Sequence, residues 1–473
     1  MRKRLFVFVL ALAVCWALAG CHVPRKQSYA QPKTPAPPEW HANLSPQEAQ
    51  ATAGAPAAVS LKWQEFFTDS RLRQVIQLAL DNNRDLRIAA LNIEKARAQY
   101  GLARAQQFPT VTLGASADAY RLPGDMANNG KPSTSDTNRV GVEAASWEVD
   151  LFGRIRSLKL EALEQYLATE QGKAATQIAL VSAVGASYLN LAGDRESLRL
   201  AQATLDAQKG TFEMIRASSE RGIRSDLDVA ESRSQVQAAD LDIARYTGQI
   251  ALDENALDLL VGASVPAELL PAELGSGEIL RDVSAGVPSE VLLRRPDILQ
   301  AEHQLKAAYA NIAAARADFF PRITLTGGGG FLSGALQQLF SLRARTWEFA
   351  PQVTLPIFDA GVRRENYKIA EVERDTLVAE YDLAVQTAFR EVSDSLGQRS
   401  RLLEQQQIQQ GLVETLERTY RLTDARYKAG LDNYLNVLVT QRSLYGGQQT
   451  LVNLRLARLS NLVTLYKVLG GGA

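Results

Sequence analysis

The side chains that most often carry out chemistry are few in this chain and widely separated. The 473 residues include only three histidines and two cysteines, namely His22, His41, His303, Cys15 and Cys21. None of them stands at the spacing of a metal site. The glycine run 327–330 lies inside a strand pattern rather than before a helix, so it does not predict a phosphate-binding loop. The sequence therefore predicts a protein that is not an enzyme and needs no metal or cofactor.

The charge balance narrows the possible partners. Lysine and arginine number 52, as do aspartate and glutamate, so the formal net charge is zero. A nucleic-acid-binding protein usually carries a basic excess or a basic patch. The composition therefore predicts no nucleic-acid partner.

Cys21 is the one side chain whose position predicts a reaction. Residues 2–4 are basic and residues 5–18 form an apolar run that is short for a membrane span. The run ends in Leu18-Ala19-Gly20-Cys21, which resembles the lipobox of bacterial lipoproteins. The resemblance implies cleavage of residues 1–20 and acylation of Cys21, and His22 in the next position favours the outer membrane. The alternative is an ordinary signal peptide followed by an incidental cysteine.

Residues 21–60 form a proline-rich segment that we interpret as an extended, weakly packed tether. Folded structure is expected to begin near Leu61. The first helix is expected at Asp69 or Ser70, with an apolar stripe formed by Leu72, Val75, Ile76 and Ala79.

The chain then passes twice from a helix into strands. In Ala313–Gly330 the hydrophobic period changes from 3.6 to 2 at Phe320-Pro321, and in Ala103–Ala115 the same change occurs at Phe108-Pro109. We therefore predict two repeats, 61–270 and 271–473. Strand hairpins are expected at 109–152 and 321–358, and the first has a break in its alternation at Ala144-Ala145 that indicates a bulge.

Each strand hairpin is followed by a very long helical hairpin, expected at 153–262 and 360–469. The turns are expected at Arg221-Gly222 and Ala429-Gly430, with Ser225 or Asp226 as the cap of the first return helix. A helix of this length spans on the order of 100 Å, more than one globular core requires. It is typical of a coiled-coil-like assembly.

The four strands have the length and alternation of membrane strands, although any one of them would also suit a half-exposed soluble sheet. Four strands cannot close a barrel, and an open edge is not tolerated in lipid. If the strands lie in the membrane, several chains must therefore share one barrel.

Three motifs, in order, carry a family resemblance that covers the chain from Trp63 to Leu469. They are LRRPDI (293–298), ARADFFPRITLTG (315–327) and RYKAGLDNYLNVLVTQRSL (426–444). They resemble the outer-membrane factor family, the TolC/OprM-like channels, and specifically its NodT-type lipoprotein branch. The resemblance implies a mainly α chain with membrane β-strands, in which a homotrimer forms a twelve-stranded barrel continued by a periplasmic helical barrel.

The same resemblance implies a passive duct for small molecules that works with a periplasmic adaptor and an inner-membrane transporter, usually of the resistance-nodulation-division (RND) type. Contact with the adaptor is expected at the hairpin turns Arg221-Gly222 and Ala429-Gly430. A duct for protein secretion is the alternative within the family. A lipid-tethered structural coiled coil, such as an adaptor, is the alternative outside it, although adaptors lack paired strand hairpins.

The family closes its periplasmic end with residues after the second helical turn. Leu435 matches a leucine ring and Arg442 an arginine, but Val439 stands where OprM-like members have an aspartate. Asp432 is the nearest acid, and Asp226 or Asp228 are further candidates to pair with Arg442. The alternative is that Leu435 and Val439 simply form a packing stripe, because they are four residues apart on one helix.

Overall fold

The computed structural model describes residues 24–25, 27–32, 61–126, 130–274, 279–282 and 289–471. Cys21 and most of the proline-rich segment lie outside these residues. The described chain is mainly helical with one four-stranded antiparallel sheet, which confirms the predicted fold class.

Eight α-helices and four strands follow one another along the described chain. The helices are α1 (Trp63–Phe66), α2 (Ser70–Asn82), α3 (Arg84–Ala105), α4 (Arg154–Ser219), α5 (Asp226–Val261), α6 (Pro296–Ala317), α7 (Val362–Lys428) and α8 (Tyr434–Val468). The strands are β1 (Val111–Leu122), β2 (Ser133–Glu148), β3 (Arg322–Ser333) and β4 (Arg345–Thr354). A lipid-tethered structural coiled coil would not contain this four-stranded sheet, so the fold argues against that alternative.

The chain divides into two compact units. The first unit comprises Met1–Lys33, Ile93–Thr169 and Ala301–Tyr381, and it contains the sheet. The second comprises Thr34–Asn92, Glu170–Gln300 and Asp382–Ala473, and it contains both long helical turns.

Local capping signals determine where several helices begin. The carboxylate of Asp69 accepts hydrogen bonds from the backbone N–H groups of Arg71 and Leu72, at 2.7 and 3.4 Å, so Asp69 is the cap of α2. The predicted apolar stripe of α2 is fully buried. Ser225 caps α5 through a reciprocal capping box with Asp228, and each of the two hydrogen bonds measures 3.2 Å.

The sheet has the strand order β1-β2-β3-β4, and every neighbouring pair is antiparallel. The predicted irregularity in β2 is present, because the register with β3 shifts between Ala144 and Trp147 and Ser146 has φ of 46°. The glycine run fits the close approach of β2 and β3, since a Cβ atom at Gly330 would clash with the Val140 carbonyl. β4 ends at Thr354 rather than at the predicted Phe358, because its partner β3 begins at Arg322, which pairs with Thr354.

The second unit has an aromatic and an ionic anchor. The rings of Phe66 and Tyr466 stack with centroids 4.1 Å apart, and the Tyr466 hydroxyl donates to the Leu61 carbonyl at 2.9 Å. The buried guanidinium of Arg295 binds the carboxylates of Asp297 at 2.6 Å and Glu391 at 3.0 Å. Arg295 also donates to the Val468 carbonyl at 2.8 Å, so the LRRPDI motif holds the end of α8.

Candidate functional site

The register of the sheet sorts its side chains into two chemically different faces. Residues paired across the strands place an apolar set on one face: Val111, Leu113, Ala115, Val140, Val142, Leu325, Phe331, Trp347, Phe349 and Val353. The opposite face carries a polar set: Thr112, Ser116, Arg139, Glu143, Thr324, Glu348 and Gln352. On this polar face Arg139 binds Glu143 at 2.9 Å and approaches Glu348 at 3.7 Å. One apolar and one polar face is the pattern of a barrel strand between lipid and an aqueous lumen.

Exposed aromatic rings flank the apolar face where the strands meet the helices. The rings of Phe152 and Phe320 stack with centroids 4.9 Å apart. Phe108, between α3 and β1, and Phe358, between β4 and α7, are largely exposed. Aromatic residues at the ends of an apolar band are typical of membrane interfaces. Among the described helices, α4 contains one window apolar enough to cross a bilayer, but half of that window is buried inside the protein.

The N-terminal segment preceding the folded repeats is packed rather than loose where the structure describes it. The Gln27 side-chain amide donates to Glu371 at 2.9 Å, and the Tyr29 hydroxyl donates to Glu302 at 2.9 Å. The Arg316 guanidinium donates to the Pro24 carbonyl at 2.7 Å. The expectation of weak packing is therefore wrong for residues 24–25 and 27–32, because Pro24, Gln27 and Tyr29 find partners on α6 and α7.

The two helical turns have the same construction. Gly222 and Gly430 both have φ of 74°, and each turn returns backbone hydrogen bonds to the last turn of the preceding helix. Arg221, Gly222, Ala429 and Gly430 are exposed. They are therefore available for contact with another protein.

Aromatic residues pack the two turns together. The Arg224 guanidinium lies over the ring of Tyr427, 4.6 Å from its centroid. Tyr427, Tyr434 and Ile215 belong to one buried cluster beneath the turns. Burial is the main cause that raises the pKa of Tyr434, so its hydroxyl stays protonated at physiological pH.

The predicted aperture residues lie on the exposed side of α8 and of the turn before it. Leu435 is 52% exposed and Val439 is 56% exposed, so they form an apolar stripe that is not used in packing within the chain. Asp432 accepts hydrogen bonds from Arg426 at 2.9 Å and from Asn436 at 2.8 Å. The Arg426 guanidinium is the main cause that lowers the pKa of Asp432.

Arg442 does not pair with any of the three acids that we considered within the chain. Its guanidinium donates to the side-chain oxygen of Gln235 on α5, at 2.9 Å, and it forms no ion pair in the described part of the chain. Asp432 is bound to Arg426, and Asp228 is used in the capping box of α5. Within one chain a neutral amide therefore supplies the acceptor for Arg442, and its pairing with a carboxylate of a neighbouring chain stays a prediction.

Sequence reasoning missed a second link between the same two helices. The Tyr445 hydroxyl donates to the Asp242 carboxylate at 2.9 Å, and burial is the main cause that raises the pKa of Tyr445. A small cavity of about 50 Å³ lies between this link and Arg442, and Gln208 is among its lining residues. The sequence signal that could have predicted this link is the spacing of Arg442 and Tyr445. They are three residues apart on α8, so both side chains can face the same neighbouring helix.

The described residues offer no site for a metal ion. They contain no group of three or more histidine, cysteine, aspartate or glutamate side chains placed to hold one.

Comparison with known proteins gives one consistent result. The profile of the family described as "Outer membrane efflux protein" matches residues 75–263 and 287–471. The "Probable efflux pump outer membrane protein TtgC" of Pseudomonas putida is 42% identical over 467 residues, which cover 98% of this chain and 95% of the relative. The "Solvent efflux pump outer membrane protein SrpC" of Pseudomonas putida is 43% identical over 471 residues, covering 99% of this chain and 98% of the relative.

A solved structure agrees with the sequence comparisons. The crystal structure of a membrane protein from Pseudomonas aeruginosa superposes with a TM-score of 0.89 at 37% identity, covering 94% of this chain and 97% of that one. These matches confirm the resemblance that the three motifs predicted. The chain belongs to the outer membrane efflux protein family.

Proposed function

We propose that three copies of this chain form the outer-membrane duct of a tripartite efflux system. The duct passes small molecules, such as drugs or solvents, from a periplasmic adaptor and an inner-membrane RND-type pump to the exterior. It is passive, and the pump supplies the energy. The acyl chains on Cys21 anchor each copy to the outer membrane in addition to the strands.

The single observation that carries this proposal is the combination of an open sheet with two unlike faces. β1 and β4 are the outer strands of the sheet, so each has a free edge within the chain. Unpaired backbone groups are not tolerated in lipid, and four strands are too few to close. Three copies, with β4 of one pairing with β1 of the next, give a closed barrel of twelve strands.

The helical turns are the proposed contact with the adaptor. They form the ends of the long hairpins α4–α5 and α7–α8, and their Arg221, Gly222, Ala429 and Gly430 are exposed. In a threefold assembly each turn is presented three times around the axis, which suits an oligomeric adaptor.

Closure of the duct is proposed to lie just beyond the second turn. Leu435 and Val439 would narrow the bore as an apolar ring, because both are exposed within the chain. The Arg442–Gln235 hydrogen bond would hold α8 against α5 in the resting state. An adaptor that pulls these helices apart would open the ring.

One pair of substitutions tests the membrane assignment of the sheet. Phe349 lies on the apolar face and Glu348, its neighbour, lies on the polar face. Arginine on a lipid-facing strand position costs about 2–4 kcal/mol at mid-membrane. We expect Phe349→Arg to prevent trimer assembly and efflux in a strain lacking its own channel, whereas Glu348→Arg retains both.

The assembly itself is measured by light scattering of detergent-solubilised protein, corrected for bound detergent. A trimer is expected. A stable monomer with native helix and strand content would refute the proposal, as would normal assembly of Phe349→Arg.

A further inference from the structure

The loop between β3 and β4, residues 334–344, lies at the end of the sheet opposite to the helices. β3 starts at Arg322, shortly after α6, and β4 ends at Thr354, shortly before α7. The loop therefore lies at the far end of both strands. If the helices are periplasmic, this end faces the exterior.

Three large apolar side chains of this loop are exposed. Leu336 is 65% exposed, Phe340 is 73% exposed and Leu342 is 75% exposed. The loop that carries them is ordered. Leu339 and Ala344 are buried beneath it, and its backbone forms two short 3-10 turns, Leu336–Gln338 and Leu342–Ala344. An ordered loop that presents apolar groups in this way indicates a contact surface.

The exposed loop residues continue the apolar face of the sheet. The ring of Phe340 packs edge-on against Phe331, with centroids 5.8 Å apart. Phe331 pairs with Arg345 and Val140, on the same face as Trp347 and Phe349. The loop thus extends the face that is proposed to contact lipid, rather than the polar face that would line the lumen.

The charged side chains of the loop and of the β4 residues that follow it are positive, although Asp136 on β2 lies beside Gly334. Residues 334–347 contain Arg343 and Arg345 and no acid. The register places Arg121, near the end of β1, on the same face. These three arginines form no ion pair in the part of the chain that the structure describes, so they can bind anionic groups. An apolar surface bordered by free arginines matches acyl chains below anionic head groups.

We propose that the β3–β4 loop is a lipid-binding collar that inserts Leu336, Phe340 and Leu342 among the acyl chains of the outer leaflet. Arg121, Arg343 and Arg345 then contact the anionic groups of those lipids. The inference rests on the proposed membrane position of the sheet. A second copy of the chain is the competing occupant, and the experiment separates the two.

Spin labels placed one at a time test whether the β3–β4 loop lies among the acyl chains. The mature chain has Cys21 as its one cysteine, whose thiol is taken up by acylation, so an introduced cysteine is a unique labelling site. The labelled variants are Phe340→Cys and Leu342→Cys in the loop, Phe349→Cys on the apolar face and Glu348→Cys on the polar face. Unsubstituted protein measures background labelling. Each variant is reconstituted in vesicles containing anionic lipid, and relaxation by oxygen and by a water-soluble nickel chelate is recorded.

We expect the labels at positions 340 and 342 to lose relaxation by nickel and to keep relaxation by oxygen, as at position 349. The label at position 348 should remain accessible to nickel. Changing Arg343 and Arg345 to glutamine should restore relaxation by nickel at position 340, because the anionic contacts that hold the loop are removed.

Two results would overturn the inference and leave the membrane assignment intact. One is nickel access at position 340 while position 349 is in lipid. The other is an immobilised label at 340 that neither reagent reaches, which would place a second chain over the loop. Nickel access at position 349 as well would instead refute the membrane position of the sheet.

Discussion

The guanidinium of Arg442 donates a hydrogen bond to the side-chain oxygen of Gln235, 2.9 Å away and 207 residues earlier in the chain. This contact ties α8 to α5 just beyond the two helical turns. Tyr445 and Asp242 join the same helices one turn further along. The part of the chain proposed to close the duct is therefore held by hydrogen bonds between two different helical hairpins.

Removing either partner of this hydrogen bond should loosen the closed state. We expect Arg442→Ala and Gln235→Leu each to raise the resting conductance of trimers in planar bilayers, because a hydrogen bond worth about 1 kcal/mol is lost. The resting conductance of the double variant should be about that of either single variant, because both changes remove the same hydrogen bond. Arg421→Ala, an exposed arginine on α7, is the control. Wild-type conductance from both single variants would assign closure to other contacts.

Leu435 should restrict the bore through its apolar surface and independently of Arg442. We expect Leu435→Ser to raise resting conductance by wetting the constriction, and its effect should add to that of Arg442→Ala. Leu422→Ser removes a similarly exposed leucine from α7 and should leave conductance unchanged. An equal effect of the two serine variants would contradict a specific role for Leu435.

The stability of the second unit should depend on pH through Asp194. Burial and a hydrogen bond with the carboxyl of Asp253 raise the pKa of Asp194 to about 6, against the opposing charge of Arg245. The folded chain therefore binds a proton more tightly than the unfolded chain, so stability falls as pH rises from about 4 to about 6.

Replacing this carboxyl by an amide should remove that dependence. We expect Asp194→Asn to have a higher Tm than the wild type at pH 7 and a smaller change of Tm between pH 4 and pH 6. The measurement is thermal unfolding in detergent across this range. A wild-type pH profile in the variant would show that Asp194 does not titrate there.

Arg295 should matter for folding far more than its neighbour Arg294. Arg295 is buried and holds two carboxylates and the end of α8, whereas Arg294 is exposed. Breaking a buried ion pair by removing one partner costs about 3 kcal/mol, so we expect Arg295→Gln to lower the Tm markedly. Arg294→Gln should change stability by less than about 0.5 kcal/mol. Equal Tm values would contradict the anchoring role.

The amino terminus of the mature chain should be an acylated Cys21. Mass spectrometry of the N-terminal peptide is expected to show the lipid masses on this residue. We expect Cys21→Ser to hinder processing and to reduce efflux without abolishing it, because the strand hairpins can still assemble. An unmodified chain beginning elsewhere would rule out the anchor.

The sequence by itself determined the features that depend on a few neighbouring residues. The change of period at Phe108-Pro109 and Phe320-Pro321 located the strands, and the irregularity at Ala144-Ala145 located the bulge. The caps were narrowed to Asp69 or Ser70 and to Ser225 or Asp226, because a cap is formed by its own side chain and the next two or three backbone N–H groups. The structure places them at Asp69 and Ser225. Such signals are complete within one turn of the chain.

Only the tertiary structure decided which distant side chains meet. The partner of Arg442 is an amide on α5 rather than an acid, and Gln27 and Tyr29 pack against helices that lie more than 270 residues later. Hydrophobic periodicity determines which face of a helix is buried, but it leaves open the axial register of one long helix against another. A shift of one turn would bring a different side chain opposite Arg442, so its partner is fixed by the packing of whole helices and not by the local pattern.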